Sequence, residues 1–140
     1  MKLADINAIA GVLASLKVNK ITDRAVKDEI NKSFLAVRKA LRPFEKDRDE
    51  LIEKFRSDWK DEIAATLAKK DFDRTDYLVA QTDMNITIEK MLNEGEAEIA
   101  FTPVDAEPLY APDLWGEDYT LGQIANSVAF LVKHGVAKEE

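Results

Sequence analysis

The residues that could do chemistry in this 140-residue chain are carboxylates and cations, with one histidine. There are 27 Asp and Glu and 20 Lys and Arg, His134 stands alone, and cysteine is absent. Without cysteine there is no disulfide, no thiolate nucleophile and no Cys-based zinc site. His134 precedes Gly135 at the end of a helical pattern, where a cation suits the helix dipole and where it serves as a C-terminal cap residue. No Ser or carboxylate partner lies at a spacing diagnostic of catalysis. Asp71-Phe72-Asp73 imitates an Asp-x-Asp metal motif, and residues 45–53, EKDRDELIE, concentrate carboxylates. Neither sets several ligands on one helix face, and the second reads more simply as a solvated face held by pairs such as Glu50–Lys54. A glycine-rich phosphate loop, a nucleophile elbow, a His-Glu-x-x-His helix and an EF-hand loop are all missing from the sequence. The chemistry-bearing residues therefore point away from an enzyme. No catalytic, cofactor-binding or metal-binding residue is assigned, and no cofactor is expected.

Charge is unevenly placed. The whole chain carries −7, yet residues 17–48 hold ten bases against five acids, and residues 71–140 hold four bases against fifteen acids. Two readings follow. The acidic part lies near or folds against the basic one, or the basic surface binds phosphates or an acidic partner. The phosphate contacts in the second case would be Lys32, Arg38, Lys39, Arg42 and Lys46, which do not all share one face. Overall acidity also opposes non-specific nucleic-acid binding.

The element that must position these groups is a long amphipathic helix over about residues 22–70. Its apolar stripe is Ile30, Phe34, Val37, Leu41, Phe44, Leu51, Phe55, Trp59, Ile63 and Leu67, at steps of three and four. Such a helix would be roughly 70 Å long, more than a compact domain of this size is wide. Its stripe must be buried on partner helices, in this chain or another. Thr22 is the expected cap, with Asp23 in the first turn. Pro43 lies inside the pattern and either kinks the helix or starts a new one. A leading helix over residues 3–18 presents Leu3, Ile6, Ala10, Leu13 and Leu16, with Gly11 read as a place of close packing. Asp5 and Asn7 and the helical spacing of its apolar residues argue against a signal peptide. A return helix within residues 75–94 steps through Tyr77, Gln81, Met84, Ile88 and Met91, and Gly95 stops it. Residues 22–94 thus form a helical hairpin.

The character then changes. Ala97, Ile99, Phe101 and Val104 alternate with polar or small residues, as a short strand does. No second strand is evident, so this one would pair with a second copy, with a partner's edge or with residues 108–115, or lie extended along the hairpin. The loop PLYAPDLWGEDY carries Tyr110, Trp115 and Tyr119, aromatics that either anchor a partner or lock the loop on the core. Thr120-Leu-Gly-Gln123 is a capping box, and Tyr119 with Ile124 fits a hydrophobic staple. The helix it opens buries Leu121, Ile124, Ala125, Val128, Leu131 and Val132. The final AKEE reads as a frayed tail.

Residues 44–55, FEKDRDELIEKF, and residues 91–109, MLNEGEAEIAFTPVDAEPL, resemble a group of small phage and prophage helical proteins of unknown function. The matching positions in the first block are Phe44, Glu45, Arg48, Leu51 and Ile52, and the resemblance covers about residues 1–110. It implies a phage-encoded or mobile-element protein with a part in particle assembly, and it brings no active site.

The expected fold is mainly α, a single domain over residues 1–140. Residues 1–95 form a long kinked helical hairpin with a flanking N-terminal helix. Residues 96–119 hold one short strand and the aromatic loop, and residues 120–135 a capped C-terminal helix. The expected function is a non-enzymatic assembly or protein-binding module. It would self-associate, as a homo-oligomer, or take a protein partner through the hairpin stripe and the strand near residues 97–104, with Ile99, Phe101, Tyr110 and Trp115 as the candidate interface residues. Nucleic-acid binding along the basic side of the long helix is the alternative. No apolar run reaches the roughly 20 residues of a membrane span, and the expected location is the cytoplasm, or the virion if the protein is phage-encoded.

Overall fold

A computed structural model describes residues 1–139. Its elements are α1 (Leu3–Ser15), α2 (Arg24–Asp58), α3 (Lys60–Leu67), α4 (Thr75–Glu94), β1 (Val104–Asp105), α5 (Leu121–Lys133) and β2 (Ala137–Lys138), with three 3-10 turns at Val18–Lys20, Glu107–Tyr110 and Pro112–Leu114. The protein is mainly α. Contacts divide it into two compact units. One comprises Met1, Leu3–Leu41 and the chain from Glu96 onward, and the other Arg42–Gly95 with Lys2.

In the first unit, α1 buries Ile6, Ile9 and Leu13 at the expected helical spacing. It ends at Ser15, short of Lys17, whose backbone N–H donates to the carbonyl of Leu114 at 2.7 Å. That bond joins the end of α1 to the last 3-10 turn. α2 opens on Asp23 rather than Thr22. The Asp23 carboxylate accepts from the N–H groups of Ala25 at 2.9 Å and Val26 at 3.3 Å, which satisfies two of the helix's free donors. Val26, Ile30, Val37 and Leu41 then turn the start of the long stripe into the core. α5 opens on the expected capping box. The Thr120 hydroxyl accepts from the Gln123 N–H at 3.1 Å, and the Gln123 side chain accepts from the Thr120 N–H at 2.8 Å. Ile124, Val128 and Leu131 are buried from this helix, whereas Leu121, expected on the buried face, is 74% exposed.

The tail is not frayed where it is described. Ala137 and Lys138 pair in parallel with Val104 and Asp105, so a second strand exists within the chain. The turn that makes this possible is at Gly135, whose φ of +79° suits a residue without Cβ. The N–H of Val136 reaches the carbonyl of Leu131 and that of Gly135 the carbonyl of Val132, the paired bonds of a Schellman stop. His134 is the cap residue, as the sequence suggests, with its ring 4.6 Å from that of Phe130. Glu140 lies outside the described residues.

In the second unit, α2 runs without interruption past Pro43, which therefore does not start a new helix. The helical run is broken only at Trp59, where φ is −118° and ψ 24°, although the N–H of Ile63 still reaches the Trp59 carbonyl at 2.9 Å. It stops at Leu67 rather than Lys70, with Lys69 in the left-handed region at φ 56°. α4 spans the expected return helix. The Asp73 carboxylate accepts from both the N–H and the hydroxyl of Thr75, at 3.0 and 2.7 Å.

Gly11 has no atom within 4 Å of where a Cβ would stand, so it serves no close approach. It sits exposed inside α1, where glycine costs helix stability through its backbone freedom. Gly11→Ala should therefore stabilise the protein by about 0.5–1 kcal/mol, read as a higher midpoint in urea unfolding. A loss of stability would show that Gly11 makes room for a neighbour.

Candidate association surfaces

Three sets of residues were expected to meet partners, and they meet different fates. Trp115 is 2% exposed, and its indole N–H donates to the Leu109 carbonyl at 2.8 Å. Its ring also packs against Tyr119 at 5.6 Å between centroids. It locks the aromatic loop onto the core, so it is no accessible anchor. Satisfying the one polar atom of a buried indole removes the cost of burying the whole ring. Ile99 and Phe101 are half-buried against the same core, as is Ala97. Only Tyr110 keeps an exposed side chain, and its hydroxyl donates to the Glu139 carboxylate at 3.0 Å. That bond, with burial and the carboxylate's charge as lesser causes, raises the phenol above its ordinary titration range.

The strand thus differs from its expected form. The two-residue strand is Val104–Asp105, paired with Ala137–Lys138, and Ala97 exchanges hydrogen bonds with Met1 at 3.0 Å each. In the stretch before it, Ala97, Ile99 and Phe101 are half-buried and Glu96, Glu98, Ala100 and Thr102 exposed. Residues 108–115, once a possible pairing partner, are occupied by the two 3-10 turns.

The five cations all lie on α2 and are all exposed. At about 100° per residue, Lys32, Arg38, Lys39, Arg42 and Lys46 fall within an arc of roughly 120°. The scatter expected of them is not found. Between Asn31 and Lys46 no acid falls in that arc, and Leu35, 66% exposed, lies at its middle. Lys32 pairs with Glu29 at 3.2 Å, whereas Arg38, Lys39, Arg42 and Lys46 make no salt bridge among the described residues.

The remaining expected surface is the apolar stripe of the hairpin, which is only partly covered. Apart from Phe44, no residue of Arg42–Gly95 is fully buried. Leu51, Phe55, Trp59, Tyr77, Met84 and Ile88 are all half-covered. Tyr77 is the hub, with Phe55 at 5.6 Å, Trp59 at 6.0 Å and Phe72 at 6.4 Å between ring centroids. Arg74 lies over the Phe72 ring at 4.5 Å. Beside this cluster an open groove of about 290 Å³ is lined by Leu51, Phe55, Trp59, Ala80 and Met84, with Lys54 and Asp83 among the residues around it. Val79 and Ile86 point elsewhere on α4 and are 55% and 57% exposed, and Leu67 is 81% exposed. The helical spacing that marked the stripe was visible in the sequence, but the degree of cover on it was not.

Asp73 is engaged by Thr75, whose backbone N–H and then hydroxyl hold its carboxyl below the ordinary range. Among the described residues no group of three or more His, Asp or Glu side chains is placed to hold a metal ion. No helix among them is long and apolar enough to cross a membrane.

Because Ile99 and Phe101 pack on the core, a carboxylate at either position should cost fold stability. Ile99→Asp and Phe101→Asp should each lower the unfolding free energy by about 1–3 kcal/mol, measured in urea. Unchanged stability in both would return these side chains to the role of a free interface.

Compared with known proteins, the chain matches no protein-family model, no curated protein and no solved structure, so the geometry itself carries the functional reading.

Proposed function

We propose that this protein is a non-enzymatic assembly module that self-associates through the hairpin Arg42–Gly95. The observation that carries the reading is the contrast in cover. The unit built on α1, α5 and the start of α2 buries nineteen residues in one cluster, while the hairpin buries Phe44 alone. Two helices leave an apolar stripe open to water on the sides they do not share, and stable helical folds close it with further helices. A second copy of the hairpin supplies two. The half-covered aromatics around Tyr77 and the groove beside Trp59 would then lie in a four-helix layer. An aromatic cluster with a groove next to it is also the kind of surface on which binding energy concentrates. The resemblance of Phe44–Phe55 and Met91–Leu109 to small phage proteins fits a part in particle assembly.

Ala80 and Thr87 lie one heptad apart on α4, and both line the groove beside Trp59. The groove is open, so they can take a charge without breaking the ring contacts of Tyr77. The double variant Ala80→Glu/Thr87→Glu should keep the helical circular dichroism of the parent and sediment as a monomer of 15.8 kDa, where the parent sediments as a larger species. An undiminished oligomer would remove this face of α4 from the interface, and a monomeric parent would remove the proposal.

The basic arc on α2 favours a second reading, in which Lys32, Arg38, Lys39, Arg42 and Lys46 contact a phosphate backbone. Four of the five make no salt bridge among the described residues, and contacts from them to phosphates would release counterions. Five phosphate contacts predict that affinity for duplex DNA falls with salt at a log–log slope of about −4 to −5 in a mobility-shift titration. No shift at micromolar protein in low salt would remove this reading.

A further inference from the structure

Among the described residues of the unit built on α1, α5 and the start of α2, two large apolar side chains stand more than half in water. They are Leu35, 66% exposed, and Leu121, 74% exposed. Each is set among charges of one sign. On α2 the neighbours of Leu35 at three and four residues are Asn31, Lys32, Arg38 and Lys39, all exposed. Lys32 pairs with Glu29 at 3.2 Å, while Arg38 and Lys39 make no salt bridge among the described residues. Leu121 is the first residue of α5. The turn before it closes from the Tyr119 N–H to the Gly116 carbonyl at 3.0 Å and carries Glu117 and Asp118, both exposed. Neither acid makes a salt bridge among the described residues, and no Lys or Arg occurs between Lys90 and Lys133.

A single exposed leucine is ordinary, but two that match in setting and oppose in charge are a pair of complementary surfaces. An apolar centre within a polar rim is also the anatomy of a protein interface. A phosphate backbone would meet the cations and give Leu35 nothing to pack on. A surface with an apolar side chain among carboxylates meets both, and Leu121 with Glu117 and Asp118 is such a surface.

We propose that the Leu35 patch of one copy docks on the Leu121 patch of another. Leucine meets leucine, with Arg38 and Lys39 beside Glu117 and Asp118 of the next copy. The two patches differ, so the contact runs head to tail, and each added copy leaves a further patch free. It is a small contact rimmed by charge, hence weak and sensitive to salt. It uses no residue of the hairpin face. It therefore adds a second kind of association to the assembly reading, and neither depends on the other.

Sedimentation velocity of the full chain reads the contact, from about 10 μM to about 1 mM protein, at about 20 mM and about 500 mM salt. Low salt should add a concentration-dependent association step that high salt removes. Arg38→Glu/Lys39→Glu and Glu117→Lys/Asp118→Lys should each weaken this step at least about tenfold, with helical circular dichroism unchanged. An equal mixture of these two variants should restore it, since each offers the charge that the other lacks. Leu35→Ser and Leu121→Ser should each weaken it at least about threefold. Ala80→Glu/Thr87→Glu, a monomer at high salt, should keep the step, which separates it from the hairpin. Absence of a salt-sensitive step would overturn the proposal, and a mobility shift on duplex DNA in that case would give the cations to phosphates. A step abolished by Arg38→Glu/Lys39→Glu but not by Glu117→Lys/Asp118→Lys would overturn it too. Parent-like association of both leucine variants would mean attraction by charge alone and overturn the docking of leucine on leucine.

Discussion

Everything in this structure turns on how one helical stripe is covered. α2 carries apolar residues at intervals of three and four along its length, and the hydrophobic effect acts on all of them alike. Its first part is closed over. Ile30 and Val37 have no exposed surface and Leu41 only 3%, because α1, α5 and the segment around Val104 share one core with them. Further along the same helix Leu51 and Phe55, and Trp59 at the break that follows, have only the other arm of the hairpin to pack on, and all remain half-exposed. An identical pattern of residues thus has two outcomes, decided by how many layers surround it.

The covered unit is also where local chemistry fixes the chain most firmly. The Asp23 cap, the Thr120–Gln123 capping box and the Gly135 turn set where α2 and α5 begin and where α5 ends. The Trp115 indole, bonded to the Leu109 carbonyl, holds the aromatic loop in the same core. Parallel pairing of Val104–Asp105 with Ala137–Lys138 closes the far end. A unit so fixed can present other surfaces without changing shape. On α2 it presents the exposed cations Lys32, Arg38 and Lys39.

Much of this was legible in the residues. The capping box was, because its two bonds join residues three apart and depend on nothing distant. α4 was legible too, since a long period-3.6 pattern ending at glycine has few other forms. What escaped were features fixed by contacts between distant residues. β2 is two residues long, and a pair of residues carries no periodicity. The direction in which Trp115 points depends on the Leu109 carbonyl, which loop composition cannot reveal. Thr22 and Asp23 are both good caps, and one residue of register chose between them. The openness of the hairpin was hidden for a different reason: periodicity reports which side of a helix is apolar, not what lies against it. The basic arc, by contrast, could have been read from spacing alone, since 32, 39 and 46 are heptad-related and 38, 42 and 46 are four apart.

The central claim is that the half-covered hairpin face is closed by a second copy of the chain. Mass in solution by light scattering, at low and at high salt, tests it most directly. A dimer or larger species that persists at high salt is predicted, because an apolar interface is not weakened by screening. A 15.8 kDa monomer at both salt concentrations would contradict the account.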